Sequence, residues 1–471
     1  MVEQILKLDK EIVSEIILEN RCYQRVTELC ELGTRFPGTK GEKLAREYIL
    51  KEIKSYGYTP KVEKFEHLGW KRGISEVKIV EPVERELLSI SLAGAPSTGK
   101  DGIDGEILFL GNGTPGEFEQ YKDQIKDRIV FVTSLAPLGQ CTPPRQCHRR
   151  TKYGRAVEFG AKAFIFMNSQ AGMLPQTGST RQNMTGEIPA VTIPFEEGEL
   201  LKNLISKGPV RVKLVVENET FTNQSGNIVA ELPGKKGDEV VIIGAHYDCH
   251  DNSHGAQDNG TGVAILLELA RIIKNTKIKL EKTIRFIFFG VEEMAAIGSS
   301  FYVKEHQDEL DKIHLYINVD GLGSGGKIFD TQGFDDLSAY ILSISKELNY
   351  QLKIPNPAFS GDALAFVFGG VPVAALKRSG SPGIFNFKGS INNEDRGWGH
   401  TSADTLDKII PSSFYESAIL AGRTLIRAAN HNGPIAKYRC KKEVANILKH
   451  YGMDEVLYYM KWPTIPIESK Y

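Results

Sequence analysis

The order of hydrophobic and polar residues divides the chain into stretches with different predicted structure. In residues 3–56, apolar side chains recur every three or four positions, as at Ile12 and Ile16, which is typical of amphipathic helices. From about residue 75 to 220, short β-branched runs such as EVKIV, EILFL and RIVFVT alternate with turns that contain Gly and Pro. This stretch is predicted to be a separate β-rich module with one helix, at RAVEFG.

From residue 226 onward, the pattern alternates between strands and helices. The runs VVIIGAHYD, TIRFIFFG, LYINVD and VPVAALK are apolar on both faces, which is typical of strands covered on both sides, and GVAILLELARII is predicted to be a buried helix. The fold class is therefore α/β, a three-layer α/β/α sandwich on a mostly parallel mixed sheet. The predicted domains are N-terminal helices that pack on the α/β core (1–74), the inserted β-rich module (75–222), the core (223–434) and a C-terminal extension of unreadable role with one helix (435–471).

Composition and charge limit the classes of protein and of binding partner that the sequence allows. The chain has 471 residues, which allows two or three domains, and 41% hydrophobic with 25% charged residues is typical of globular proteins. A formal net charge of -1 favours neither nucleic acid nor a membrane surface as a partner. No apolar run reaches the ~20 residues of a membrane helix, and the charged N-terminus lacks the pattern of a signal peptide. We therefore expect a cytoplasmic location.

The cysteines do not form a recognisable framework. Six cysteines in the chain are too sparse for a disulfide-rich fold, and none lies in a CxxC pair. Cys141 and Cys147, in CTPPRQC, either close a small disulfide loop or remain reduced thiols. The sequence leaves both states open.

Polar side chains follow the first predicted strand and open the buried helix, where ligands gather in open α/β sheets. The first strand ends in His246-Tyr247-Asp248; His246 and Asp248 share one face of an extended chain, so Asp248 can fix the imidazole tautomer while the other nitrogen binds a metal. Asp258 precedes the helix GVAILLELARII. Each feature alone has a structural alternative, since the His-x-Asp pair can be structural and Asp258 can be a helix cap.

Chemically similar residues follow the later strands. Glu292 and Glu293 lie just after FIFFG, and two adjacent carboxylates repel each other unless a cation or a shared proton compensates. Asp320 follows YINV, and His400 lies in GWGHTSADT. The structural alternatives are a solvated surface pair at Glu292 and Glu293 and a turn motif at His400. For no site to be present, the structural explanations of all these features would have to hold at once. Imidazole with carboxylate oxygen suits Zn²⁺, Co²⁺ or Mn²⁺, and two ions fit if one carboxylate bridges them.

These motifs resemble a known family in their order and spacing. HYDCHDNSHGAQDNGTG, the Glu pair, NVDG and HTSADTLDKI resemble the dizinc exopeptidases that include bacterial zinc aminopeptidases and carboxypeptidase Q. GTRFPGTKGEKLAREYI and SGDALAFVFGGVPVAAL extend the resemblance over residues of about 20–430. RIVFVT, GAKAFIFM and IPAVTIPFEEGELL resemble the protease-associated domain that this family carries as an insert.

The resemblance implies roles for the strand-end residues. It implies two zinc ions and a general base at Glu292; Asp248, which can fix the His246 tautomer, is the second candidate catalytic residue, and the donor types also allow Co²⁺ or Mn²⁺. The implied metal ligands are imidazoles and carboxylates: His246 and Asp320 for one ion, Glu293 and His400 for the other, and Asp258 for both. It also implies a cis peptide bond between Asp258 and Asn259.

The implied activity is hydrolysis of peptide bonds in short peptides, and we expect a metal-dependent aminopeptidase. A dipeptidase or a carboxypeptidase of the same family stays open, because loops outside the metal site select the end of the substrate. From a different class, an inactive receptor on this scaffold is an alternative, although it would have no reason to keep every metal- or proton-handling side chain. Short peptides are the expected partners, and a homo-oligomer is left open.

Several residues near these motifs have no assigned role. Cys249, His250 and His254 depart from the family pattern; the two histidines either support the site or face solvent in a polar loop. Before His400, two groups of side chains are candidates for substrate binding: Phe385, Phe387 and Trp398 for an apolar pocket, and Lys388 and Arg396 for a substrate carboxylate. The alternatives are that the aromatic residues only pack and that the two charges are solvated surface groups.

Overall fold

The computed structural model describes residues 2–19, 21–137, 139–378 and 398–462. The strands are β1 Lys61–Glu81, β2 Arg85–Leu87, β3 Ile90–Ser91, β4 Ile103–Phe109, β5 Ile129–Thr133, β6 Ala163–Met167, β7 Ala190–Ile193, β8 Arg211–Leu232, β9 Lys236–His246, β10 Lys282–Phe289, β11 Ile313–Val319, β12 Gly326–Asp330 and β13 Val373–Arg378. The helices are α1 Val2–Leu18, α2 Arg21–Glu31, α3 Lys40–Ser55, α4 Pro115–Ile125, α5 Arg149–Glu158, α6 Phe195–Ile205, α7 Thr261–Asn275, α8 Ile297–Glu305, α9 Asp335–Leu348, α10 Gly361–Phe368, α11 Pro411–Asn430, α12 Lys441–His450 and α13 Met453–Met460.

The described strands form one mixed sheet. Its order is β12-β13-β11-β9-β10-β8-β4-β5-β6-β7-β3, with β1 paired along β8 and β2 along β1. The strands β13, β11, β9 and β10 run parallel to their neighbours, whereas β12 and β8 pair antiparallel on either side of this group. The predicted mostly parallel mixed sheet is thereby confirmed.

Helices cover both faces of the parallel part of the sheet. The N-terminal helices α1, α2 and α3 pack with α7 and α11 on one side, and α8 packs with α10 on the other. The predicted buried helix is α7, whose residues Thr261–Ile273 are buried throughout. Each fully buried Leu, Ile or Phe contributes ~1.5–3 kcal/mol, so this core fixes α7, and the turn that precedes it, firmly against β9.

The long strands β1 and β8 connect the core to the inserted module. They pair antiparallel along almost their whole length, and β8 also pairs with β10 of the core and β4 of the module. Residues 75 and 222, the predicted limits of the module, both fall inside these strands, and the limits themselves stay a prediction. The module has apolar clusters of its own, formed around Val77, Phe131 and Ile165 and around Phe118, Tyr153 and Phe164.

The module contains more helix than its sequence pattern predicted. Besides α5, at the predicted RAVEFG segment, it includes α4 and α6. Helix α4 begins with a capping box in which the Thr114 hydroxyl accepts from the N–H of Glu117 and the Glu117 carboxylate accepts from the N–H of Thr114. This local pattern is a recognised helix signal, but the strand-rich texture around it predicted no helix here.

The C-terminal extension forms two helices, α12 and α13, where one was predicted. Helix α13 packs on α5 of the module, while Val456 and Met460 belong to the apolar core of the α/β domain. The Glu455 carboxylate accepts hydrogen bonds from Arg155 at 3.1 Å and Gln146 at 2.9 Å. The extension therefore ties the inserted module to the core.

Two sequence questions have structural answers. Cys141 and Cys147 form a disulfide, with Cα atoms 5.8 Å apart. Within the ranges described above, no helix combines the length and apolar character needed to cross a membrane.

We predict that Glu455→Ala lowers the free energy of unfolding by ~1–2 kcal/mol, because the Arg155 guanidinium, whose side chain is 2% exposed, loses its carboxylate acceptor. Asp454→Ala is the matched control, since Asp454 is an exposed carboxylate in the same first turn of α13. It should change stability by no more than ~0.5 kcal/mol. Calorimetric unfolding of both variants tests this, and equal effects would contradict it.

Candidate metal centre

The candidate residues meet at one edge of the sheet. In the register of the parallel strands, Phe289 at the end of β10 lies beside His246 at the end of β9, and β11 pairs with the other side of β9. Because parallel strands end at the same edge, the Glu pair after β10 and Asp320 after β11 come close to His246. The sequence placed these residues after successive strands, and the sheet brings those strand ends together.

Asp258 lies between two imidazoles. Its Oδ1 is 3.2 Å from His246 Nε2, and its Oδ2 is 3.1 Å from His400 Nε2. Each imidazole also faces a second carboxylate: His246 Nε2 is 3.6 Å from Asp320 Oδ1, and His400 Nε2 is 3.5 Å from Glu293 Oε2. One carboxylate is thus shared by two pairs of metal-type ligands.

The donor atoms are close enough to hold cations. Among the described residues, groups of three side chains offer ligand atoms that all lie within 4.8 Å of one another. These groups are His246 with Asp258 and Asp320, His250 with Glu293 and His400, and His246 with Glu292 and Glu293. The five predicted metal ligands and Glu292 thus belong to one continuous cluster.

Asp248 holds the two glutamates as well as the imidazole. It is fully buried, and its carboxylate oxygens accept the backbone N–H groups of Glu292 and Glu293, each at 3.0 Å. His246 Nδ1 lies 3.2 Å from the backbone carbonyl oxygen of Asp248 and 3.6 Å from its carboxylate. Val291, just before the pair, has a φ of 62°, which is an outlier for a β-branched residue. The Asp248 carboxylate and the backbone conformation at Val291 together fix the orientation of Glu292 and Glu293.

Asp404 fixes Asp258 in the same manner. Its carboxylate accepts the backbone N–H of Gln257 at 2.8 Å and that of Asp258 at 3.0 Å. Burial, with a further contribution from the negative charge of Asp258, raises the pKa of Asp404 to about 7.

The peptide bond between Asp258 and Asn259 is cis, as the resemblance implies, and the Asn259 side-chain amide donates to the carbonyl of Val319 at 2.9 Å.

The electrostatics of the cluster suit a cation. Burial first, then the charges of Asp258 and Glu292, raise the pKa of Glu293 well above its usual range. Burial also raises the pKa of Glu292. For Asp258, burial is outweighed by the two histidines, which hold its pKa well below the usual value. Glu293 Oε1 is buried and makes no hydrogen bond with the residues that the structure describes. The imidazole and carboxylate donors therefore fit a zinc-type ion.

Comparison with known proteins identifies the domain. Residues 227–424 match peptidase family M28, and residues 98–201 match the PA domain. Residues 227–424 thus form an M28-like domain, here called the M28 domain. The M28 match includes every predicted metal-site residue, and the PA match lies within the predicted insert. The resemblance drawn from the motifs is confirmed.

Individual relatives agree with this assignment of the M28 domain. Aminopeptidase YwaD of Bacillus subtilis is 30% identical over 307 residues, which are 64% of this chain and 61% of that protein. Carboxypeptidase Q of Rattus norvegicus is 25% identical over 381 residues, 76% of this chain and 77% of that protein. The structure of a peptidase M28 precursor from Shewanella amazonensis matches with a TM-score of 0.76 at 25% identity and covers 94% of this chain and 100% of that one.

The PA domain contacts His400, one of the candidate metal ligands of the M28 domain. Thr177, within the PA match, donates its N–H to the carbonyl of His400 at 2.9 Å, and its own carbonyl lies 3.2 Å from His400 Nδ1. A hydrogen bond at Nδ1 fixes the tautomer and leaves Nε2 for the cluster. The segment around Thr177 carries no recognisable chemistry, so sequence reasoning missed this contact.

Arg72, on β1, binds the loop that follows β9. Its Nε and Nη2 donate to the two carboxylate oxygens of Asp251 at 2.7 and 2.6 Å, and Nη2 also donates to the Thr177 hydroxyl at 2.9 Å. The guanidinium lies 4.9 Å from the centre of the Trp70 ring. This bidentate pair connects β1, the PA domain and the loop beside the metal cluster.

The unassigned residues after Asp248 have different environments. His250 is buried, with Nε2 2.7 Å from Glu293 Oε2, whereas His254 is exposed. Cys249 is buried, and its sulfur accepts the N–H of Arg35 at 3.2 Å. The solvent-facing alternative therefore applies to His254 and is wrong for His250.

Asp362 is another residue near the centre that was not singled out from sequence. It is 2% exposed, and burial followed by the charge of Glu292 raises its pKa well above the usual range. The preceding Gly361 has a φ of +57°, and a Cβ there would lie 2.9 Å from Glu292 Oε1. A glycine is therefore required for this close approach to Glu292.

The proposed substrate-binding side chains before His400 are only partly described. Trp398 has the Lys408 ammonium 4.9 Å from its ring centre. The other four, Phe385, Phe387, Lys388 and Arg396, lie outside the described residues. Their roles stay predictions.

We predict that Arg72→Ala lowers the free energy of unfolding by ~1.5–3 kcal/mol, the usual contribution of a hydrogen bond to a charged group in a largely buried pair. Lys71→Ala is the control, because Lys71 is 73% exposed and its carboxylate partner is 3.8 Å away. Hydrogen exchange should also accelerate at residues 249–254 in the Arg72 variant alone. The same exchange rates in both variants would show that the Arg72–Asp251 pair does not hold this loop.

Proposed function

We propose that the chain is a metal-dependent exopeptidase that removes residues from short peptides and acts as an aminopeptidase. The observation that carries the proposal is the position of Asp258, whose two oxygens face His246 and His400, each beside a carboxylate of its own. This is the arrangement expected of two cations that share one bridging ligand.

The bound metals would be zinc, with Co²⁺ or Mn²⁺ also compatible with the donors. The proposed ligands fall into two sets that share one member: His246, Asp320 and Asp258 for one ion, and Glu293, His400 and Asp258 for the other. When bound, the ions supply Lewis acidity that activates a water molecule and polarises the scissile carbonyl. Asp248 supports this centre by orienting His246 and the Glu292–Glu293 backbone.

Glu292 is the proposed general base. It lies in the same cluster as His246 and Glu293 but is not needed as a ligand in either set. Burial and neighbouring carboxylates raise its pKa toward the working range of a base that must both accept and release a proton. Glu292 would take the proton of the attacking water at its carboxylate and deliver it to the leaving amine, without a covalent intermediate on the protein.

The relatives and the insert support an exopeptidase acting on short peptides. One relative is named an aminopeptidase and another carboxypeptidase Q, so a carboxypeptidase or dipeptidase is the second candidate. The PA domain contacts His400 directly through Thr177, which places it beside the cluster, where it would restrict long or folded substrates. Short peptides are the proposed partners, rather than nucleic acid or membranes.

Metal removal and a set of blocked peptides test the proposal. We expect a chelator to abolish hydrolysis and zinc to restore it. Free and C-amidated peptides should lose their N-terminal residue, whereas N-acetylated peptides should resist cleavage. Cleavage of N-acetylated peptides from the other end would indicate a carboxypeptidase instead, and metal binding without hydrolysis of any peptide would favour the receptor alternative.

A glutamine substitution tests the assigned base. Glu292→Gln should reduce turnover by ~10²-fold or more while metal content is retained, because only proton transfer is removed. Glu305→Gln, the same change at an exposed position on α8, should leave turnover and metal content unchanged. If Glu292→Gln instead loses metal and keeps its turnover per bound ion, the roles of Glu292 and Glu293 are reversed.

A further inference from the structure

We infer that His250 is an additional metal ligand of this centre, on the side formed by Glu293 and His400. The inference rests on the proposed function insofar as it requires a metal at that side. It goes beyond the ligand set that the family resemblance implies, which does not include His250.

The geometry of the three side chains carries the inference. His250 Nε2 is 2.7 Å from Glu293 Oε2, which is itself 3.5 Å from His400 Nε2, and the two imidazole rings lie 4.0 Å apart between centres at 64°. Tetrahedral zinc with bonds of ~2.0–2.1 Å separates neighbouring ligand atoms by ~3.3 Å. The first separation is about 0.6 Å shorter than this and the second about 0.2 Å longer, within the reach of small side-chain rotations.

His250 is held in this position from several directions. It is 1% exposed; its carbonyl accepts the Thr34 hydroxyl at 3.0 Å, and its ring stacks on Phe36 with 6.5 Å between centres. The next residue, Asp251, is bound by Arg72 through two hydrogen bonds. The loop thus places the His250 imidazole in the cluster, and Arg72 attaches this loop to β1.

The extra imidazole would make the two metal positions chemically different. The His246 side would have one imidazole and two carboxylates, whereas the other side would have two imidazoles, Glu293 and the shared Asp258. Nitrogen donors favour zinc and cobalt over manganese. We therefore expect the Glu293 side to discriminate more strongly against Mn²⁺ than the His246 side.

A role limited to hydrogen bonding must be distinguished from ligation. At 2.7 Å, the His250 N–H can donate to Glu293 and merely orient it. Glutamine can also donate a hydrogen bond to Glu293 but is a poor ligand for zinc. His250→Gln therefore separates the two roles, while His250→Ala removes both.

Zinc affinity of the metal-free full chain, measured by competition with a chromophoric chelator, is the test. We expect wild type to bind two ions and both His250 variants to bind one of them more than ~100-fold more weakly, beyond the ~10–100-fold cost of losing a residue that only orients a ligand. Affinity for the other ion should change little. His254→Ala, an exposed imidazole four residues away, should match wild type. Wild-type affinity in His250→Gln would overturn ligation by His250.

X-ray absorption of the zinc-loaded wild type gives a second measurement that does not depend on a variant folding. Three imidazoles shared by two ions would support the inference, and two would overturn it. A wild type that binds no second ion would overturn both this inference and the two-metal proposal. Two ions and three imidazoles in a protein that cleaves no peptide would overturn the proposed function alone.

Discussion

The site depends on one shared carboxylate. Asp258 faces His246 with one oxygen and His400 with the other, and burying such a charge is costly unless partners compensate for it. Asp404 accepts the backbone N–H of Asp258, and Asn259 attaches the same turn to the end of β11. The buried helix α7 then continues directly from this turn, so packing of the core sets the position of the carboxylate.

The supports of this carboxylate and its neighbours come from distant parts of the chain. Thr177 of the PA domain binds His400, and Arg72 of β1 binds both Thr177 and Asp251. The C-terminal helix α13 packs on α5 of the same insert. The candidate metal ligands all lie in the M28 domain, but the insert orients His400, one of the two imidazoles that face Asp258. The PA domain therefore contributes to the position of one imidazole of the candidate centre.

The fold and the site could be predicted from the sequence to different extents. The apolar runs predicted the parallel strands, and strand ends meet at one edge, so His246, the Glu pair and Asp320 could be placed together from pattern alone. Thr177 could not be found in this way, because its role comes from a backbone carbonyl, which every residue has. The burial of His250, against the exposure of His254, depends on how the loop is held by Arg72 and Thr34, and that is a long-range contact without periodicity.

The charge balance of the cluster explains why its carboxylates can bind either a metal ion or a proton. Without a cation, Glu292 and Glu293 have raised pKa values because burial and adjacent carboxylates disfavour their charged forms, while Asp258 stays ionised beside two histidines. Cations placed among these groups would replace the compensation that protons otherwise provide, so metal binding and proton release are linked. Glu293 and Asp258 would then be committed to the cations. Glu292, held by the same Asp248 but outside both ligand sets, would remain the carboxylate able to exchange a proton with a substrate.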